Sequence, residues 1–341
     1  MASPSQSSAA TEKRSGNGPG WLRRLSQEQI VLIVTAIMVV IFSISLRGFA
    51  TLSSALTLLS SISVLGILAL GAAIVIIGRG LDISQICSMA IGAATAALVM
   101  KAGGNLGWAV LAGFGIALAI GLLNGFVVAF VEAPPLFATL ASNLLIFGLA
   151  RIFIVGDTYV VYVPRHEATF LALGGRIGGV PVPVIVFFAL AFLVHLFLSR
   201  TTFGRFIYAH GDNPETARLS GMPVRPLTIL EYVMCALIGY LAGLLQMAML
   251  SSMDTQIIMG SEIFNVILVA VLGGVSLVGG RGGVLSVIAG ALLIGVLLDG
   301  MTRLNFGPDA QNIVRGLVLM GAIVLDNRLH PRDEETVRQG E

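Results

Sequence analysis

The sequence predicts an all-α polytopic membrane protein of about ten transmembrane helices. Three observations predict it. The mean hydropathy of the 341-residue chain is +0.94. Charged residues make up 11%, against about 25% in a soluble domain. The few charges are spaced so that long uncharged runs separate them, and a bilayer span needs about 20 mostly apolar residues.

The runs place helices at roughly 28–46, 52–78, 82–101, 107–131, 136–155, 181–199, 227–251, 262–280, 283–303 and 309–326. Residues 1–25 are rich in Ser, Ala and Gly without periodicity, and are expected to be a disordered cytoplasmic tail. Residues 26–327 then form one membrane domain, and 328–341 a cytoplasmic C-terminal tail. Cys87 and Cys235 both lie in apolar runs and are expected to be free, buried thiols.

Orientation follows Lys and Arg. With the N-terminus in the cytoplasm, the inner segments hold Arg79, Arg200, Arg205, Arg218, Arg225 and Arg281, together with the basic residues of both tails. The outer segments hold only Arg47, Lys101, Arg165, Arg176 and Arg303. The asymmetry favours both termini inside.

The longest polar interruption of the second half is 199–226, SRTTFGRFIYAHGDNPETARLSGMPVRP. Its centre has the chemistry of a very short helix. Asp212 or Asn213 can cap the first free N–H groups, and Pro214 suits the first turn. Glu215 suits the positive end of the helix dipole. Gly221 supplies a left-handed stop and Pro223 prevents resumption. About two turns, from Pro214 to Ser220, would stand between two membrane segments. An ordinary surface loop and a docking element for a soluble partner both fit.

Glycines at packing spacing, Gly121 with Gly125 and Gly239 with Gly243, fit close helix approach. Gly273, Gly274, Gly279, Gly280 and Gly282 crowd one junction, where one helix is expected to end and the next to begin within a few residues. Polar residues at membrane depth are costly and mark functional candidates. Asp82 and Ser84 open the third helix, where Asp82 could equally be a cap. Asn124 and Asn143 could serve interhelical hydrogen bonds or substrate contact. Arg151 is expected to reach the outer interface, and Arg315 to pair with Asp299 or face a wet interior. Glu231 lies near the start of the seventh helix and reads as interfacial, and Asn265 sits near the start of the eighth.

Some chemistry is missing from the sequence. The chain has no G-x-x-x-x-G-K-[ST] phosphate loop, so it binds no nucleotide that way. Its histidines are far apart and show no metal-ligand spacing. Nothing in the net charge of +2 suggests nucleic acid.

Three stretches carry a family resemblance: GRGLDISQICSMAIGA at 78–93, FGRFIYAHGDNPETARLSGM at 203–222, and VILVAVLGGVSLVGGRGGVLSVIAGALLIGVL at 266–297. They are similar to segments of the permease subunits of ribose-type bacterial ABC sugar importers, a group that includes xylose, galactose and autoinducer-2 permeases. The resemblance covers roughly 28–326. It implies an ABC importer permease fold in the bacterial inner membrane and a pathway for a monosaccharide, pentose, hexose or related polyol. It also implies a second permease chain, identical or homologous, a periplasmic substrate-binding protein, and ATPase subunits that hold the ATP and Mg. No catalytic residue, metal or cofactor of this chain's own is expected.

Carried onto this sequence, the element that couples to the ATPase contains Asn213, Pro214, Glu215, Ala217, Arg218, Leu219 and Gly221. Asp82, Ser84, Asn143 and Asn265 are the residues expected along the substrate pathway. The sequence departs from the family at Ser84-Gln85-Ile86 and at Ser261-Glu262-Ile263-Phe264-Asn265, where substrate identity is the property at stake. An ion-coupled secondary sugar transporter is the alternative. It would need a midplane carboxylate or an unwound helix to hold the ion, and the apolar runs offer no midplane carboxylate. A membrane enzyme would need His, Asp or Glu clustered at one face, which the sequence lacks.

Overall fold

The computed structural model describes residues 26–329. The expected tail at 1–25 lies outside them, as does most of the C-terminal one. Helix α1 (Gln27–Ser45) starts at Ser26 in a reciprocal capping box with Gln29. Helix α2 (Leu52–Ile77) is apolar on every side and buried from Ile62 to Ile77 save Leu65, as a helix at the centre of a bundle must be. Helix α3 (Gln85–Lys101) is short and rich in Ala, Gly and Ser, which lets it pack tightly. Helices α4 (Leu106–Phe130) and α5 (Pro135–Ala150) follow, and α5 runs on through a single π turn at Arg151–Val155.

An irregular segment then holds strand β1 (Val160–Tyr162), the short helix α6 (Ala168–Leu171), and a β2 (Arg176–Ile177) and β3 (Val180–Pro181) hairpin. Helix α7 (Val182–Arg200) leads into two short helices, α8 (Thr202–Asp212) and α9 (Pro214–Leu219). Helix α10 (Val224–Leu250) returns across the bundle to strand β4 (Ser252–Asp254), which pairs antiparallel with β1. Helices α11 (Glu262–Gly273), α12 (Val284–Arg303) and α13 (Pro308–Leu329) complete the described chain.

Seven of these helices are long and apolar enough to cross a membrane, and α3 and α11 are shorter apolar helices. The fold is therefore an all-α polytopic membrane protein, with small β pairings confined to connections. Helices α2, α3 and α10 form the centre, with α4, α11 and α12 packed on them. Helices α1, α4 and α5 leave Ile37, Val40, Phe126, Leu144 and Leu145 exposed, as a lipid-facing surface would.

Close backbone approach holds the centre together, because lipid removes most of the hydrophobic drive between helices. A Cβ at Gly121 or Gly125 would press on the α10 backbone at Val233 or Ile229. One at Gly243 would meet the carbonyl of Met89, and one at Gly273 the carbonyl of Ser286. The glycine spacings read from the sequence thus fall at real crossings.

One expectation is corrected here. The eighth helix does not continue to 280; α11 stops at Gly273, and 274–283 is an extended glycine-rich loop. Gly274, Gly279, Gly280 and Gly282 all have positive φ, between 71° and 116°. That geometry ends the helix at once and turns the chain back toward α8.

The connections sort into two faces. Glu28 meets Ser286 at 2.6 Å, the Gly280 N–H reaches the Ile77 carbonyl at 2.8 Å, and Arg225 meets Glu132 at 3.4 Å. These contacts gather the start of α1, the α2–α3, α4–α5 and α11–α12 junctions and the whole of α8–α9 on one face. That face carries Arg79, Arg200, Arg205, Arg218, Arg225 and Arg281. The β1–β4 pair, and Arg303 donating to Ser54, gather the remaining connections on the opposite face.

Candidate functional site: an anchored helix pair and a buried polar junction

Helix α9 has both ends written locally. Asn213, not Asp212, is its cap: the Asn213 side-chain oxygen accepts the Thr216 N–H at 2.9 Å, while Asp212 is the last residue of α8. Pro214 holds the first position and Glu215 lies in the first turn, with Arg218 in the last. Gly221 has φ +75° with open space around it, so glycine is there for its backbone. The Met222 N–H returns to the Ala217 carbonyl at 3.2 Å, closing the turn. Only Ala217 of the helix is buried, whereas Leu219 is 89% exposed. Asn213→Ala is expected to cost about 1 kcal/mol of local stability, read as faster amide exchange over 214–219 with the spans unaffected.

The pair has a rigid base. Helix α8 is strongly amphipathic and buries Gly204, Ile207 and Gly211. At Gly211 there is no room for a side chain: a Cβ would overlap the Ile77 carbonyl oxygen and the Gly280 N–H. Gly279 in turn packs on the Gly211 carbonyl and on Arg79. Tyr208 donates to the Gly282 carbonyl at 2.8 Å. The glycine-rich loop therefore interlocks the end of α2, the end of α8 and the start of α12.

Beneath this base lies the α2–α3 junction. Arg79 turns the chain with φ +69° between Gly78 and Gly80. Asp82 and Ser84 are both buried. The Asp82 carboxylate accepts the Ser84 N–H at 2.9 Å and the Ser84 hydroxyl at 2.6 Å, and Asn124 of α4 donates to that hydroxyl. Asp82 thus closes the turn before α3 rather than standing as its cap, since α3 begins only at Gln85. Gln85, which the sequence analysis did not single out, donates to the Leu68 carbonyl of α2 at 2.9 Å.

The expected pathway residues do not form one site. Asp82 and Ser84 lie together near the arginine-rich face. Asn143 is buried on α5 against α3, where its backbone carbonyl receives the Cys87 thiol. Asn265 lies near the start of α11, in the opposite half of the bundle, and accepts from Arg315 of α13 at 3.1 Å. Asp299 binds Arg303 at 2.7 Å instead of Arg315, which corrects that pairing. Arg151 reaches outward to the Thr158 carbonyl at 3.0 Å and stacks on Tyr159.

Glu231 is a second correction. It is 1% exposed, buried inside the bundle rather than facing water, and its carboxylate fills the space that a Gly78 side chain would need. With Arg79, Glu132, His210, Arg218 and Arg225 it lines a cavity of about 270 Å³ under α9. Burial pushes the His210 imidazole below its ordinary value of 6.5, and Arg218 and Arg79 push the same way. A group whose folded value is depressed adds stability above 6.5 that is lost as the pH falls below it. Acidification is therefore expected to loosen α8 despite the two carboxylates lining the same cavity. The check is amide exchange of α8 across that range, and His210→Gln should flatten the pH dependence.

A many-spanning helical core with a capped helix braced on one charged face defines a polytopic membrane protein. The chain belongs to the family described as branched-chain amino acid transport system / permease component, which matches residues 54–323. It is 34% identical over 306 residues to the ribose import permease protein RbsC of Escherichia coli K12, covering 88% of this chain and 94% of that one. It is 34% identical to the L-arabinose transport system permease protein AraH of the same strain, over 89% of this chain and 91% of that one. The fructose import permease protein FrcC of Rhizobium meliloti is 28% identical over 88% of this chain and 85% of its own. No solved structure matches the chain. The chain is a multi-pass protein of the bacterial inner membrane.

Proposed function

We propose that this chain is the transmembrane subunit of an ATP-driven importer and forms the pathway for a monosaccharide. Relatives named for ribose, L-arabinose and fructose support the substrate class, because they align along nearly the whole chain. In this reading the chain crosses the membrane about ten times, with α3, α11 and α13 counted as spans. The arginine-rich face is cytoplasmic, as the distribution of Lys and Arg favours. Helix α9 docks into a separate ATPase subunit, which supplies the ATP and Mg. A second permease chain completes the pathway, and a periplasmic binding protein delivers the sugar to the opposite face.

The observation that carries the reading is the interlocked base of α8. A short capped helix welded to α2 and α12 can transmit a displacement of a docked partner into the helices of the core, whereas a loose loop would absorb it. Nothing specific favours ion coupling: the buried carboxylates Asp82 and Glu231 lie at the arginine-rich end, not at a midplane break.

The test is reconstitution of the chain with its co-purifying subunits in proteoliposomes. Uptake of D-ribose, L-arabinose or D-fructose should require ATP inside and binding protein outside. Uptake that persists without ATP and collapses with an ionophore would hand the case to the ion-coupled carrier.

A further inference from the structure

Arg315 is the deepest free arginine of the described spans. It lies two turns into α13, about 10 Å from its start at a rise of about 1.5 Å per residue. A guanidinium at that depth is costly unless it is paired or faces water. Among the described residues Arg315 makes no ion pair. It donates to the Asn265 side-chain oxygen at 3.1 Å and to Gln311 at 3.2 Å, and its Nε is buried without a partner. Asn265 passes the chain on, donating to Glu262 at 3.2 Å.

Asn265 and Arg315 line a cavity of about 260 Å³ between α11 and α13, with Ser261, Leu268 and Leu319. Phe264 and Asn312 stand at its rim, both exposed. Glu262, joined to it through the Asn265 hydrogen bond, lines a separate and smaller cavity of about 120 Å³ on the inner side of α11, reaching α2, α3 and α10. Simple packing of α11 on α13 would need none of this polarity. Apolar side chains would join the two helices at lower cost.

We propose that the Glu262–Asn265–Arg315 relay is the sugar-contacting constriction in the outer half of the pathway. The inference rests on the sugar-importer reading. The chemistry suits a neutral polyhydroxyl compound. Planar amide and guanidinium groups offer paired hydrogen bonds to vicinal hydroxyls, and Glu262 accepts hydroxyl protons while offsetting the arginine's charge. Phe264 presents an apolar face to the C–H side of a sugar ring. The neutral partners of Arg315 can be exchanged for hydroxyls without stranding a buried ion pair.

The experiment uses the whole transporter in proteoliposomes, with D-ribose, L-arabinose and D-fructose as probes. Asn312→Cys supplies a labelling site, since Cys87 and Cys235 are buried. The transported sugar should slow thiol labelling of Asn312→Cys, and Arg315→Gln in that background should abolish the protection. Arg315→Gln alone should lower sugar uptake about tenfold or more, as loss of a charge-assisted contact would, with an unchanged thermal unfolding midpoint. Undiminished uptake by Arg315→Gln, or labelling that no sugar slows while uptake proceeds, would overturn the site and leave the importer reading standing. Protection by a sugar acid but by none of the neutral sugars would overturn the ligand class. If the unaltered transporter takes up none of the three, the importer reading fails first and this site with it.

Discussion

Replacing Leu219 with Asp is expected to uncouple the transporter without unfolding it. Leu219 ends α9 with 89% of its surface exposed, on a helix whose inward residue is Ala217. A leucine so placed contributes nothing to the chain's own core. A large apolar group held out on a rigid stem is what a partner's pocket captures, and central anchors of this kind are worth about 2 kcal/mol or more to a complex. The substitution should weaken ATPase binding about thirtyfold or more, and ATP-driven uptake should fall with it. The thermal midpoint of the isolated permease should not move. Equal affinity of the ATPase for Leu219→Asp and the unaltered chain, measured in detergent with purified subunits, would remove α9 from the interface.

Neighbouring charges should matter less. Arg218 and Arg225 reach Glu132 at 3.9 and 3.4 Å, but all three are more than half exposed. Exposed pairs contribute about 0–1 kcal/mol. Glu132→Gln should therefore leave both stability and coupling nearly unchanged, in contrast to Leu219→Asp.

What the sequence made legible follows from the range of the forces involved. The long apolar runs and the caps of α9 depend on neighbours in the chain, so Asn213, Pro214 and Gly221 could be placed from local chemistry. Features made by distant contacts could not. Nothing near 231 in sequence says that Gly78 leaves room for its carboxylate. Nothing in the Gly273–Gly283 run says that Gly280 bonds to Ile77 while packing against Gly211, so its glycines suggested a tight turn between two helices instead of a docking loop. The β1–β4 pairing joins segments some ninety residues apart, each too short to show a strand pattern. Arg315 bonds to Asn265 of α11, while Asp299 pairs with Arg303, four residues further along α12, and neither partnership is written in the local sequence. Gln85 stood out only as part of the Ser84-Gln85-Ile86 departure from the family's pattern, because an amide in a polar junction carries no motif that names its partner.

Gly211→Val is the second large effect, and comparison with Gly221→Val isolates its cause. Both glycines bound the α8–α9 unit, yet they are glycine for opposite reasons. Gly221 has φ +75° and empty space beyond its Cα, so valine there costs backbone strain of about 1–2 kcal/mol and disturbs only the end of α9. Gly211 is helical, and valine there would be tolerated by the backbone. Its Cβ, however, would overlap the Ile77 carbonyl oxygen and the Gly280 amide, both main-chain atoms that cannot rotate away. The Gly280–Ile77 hydrogen bond of 2.8 Å would have to break or α8 would have to lift. Overpacking of this kind costs about 1–3 kcal/mol, and a lost buried main-chain hydrogen bond adds about 1–3 kcal/mol. Gly211→Val should therefore abolish ATP-driven uptake even where α9 still binds the ATPase, because the displacement no longer reaches α2 and α12. Gly221→Val should weaken ATPase binding and uptake in proportion. Cross-linking of single cysteines placed on α8 and on the 274–283 loop, with and without ATP, reads the base directly. If Gly211→Val retains both the cross-link and full uptake, the interlocked base is not the route by which α9 moves the core.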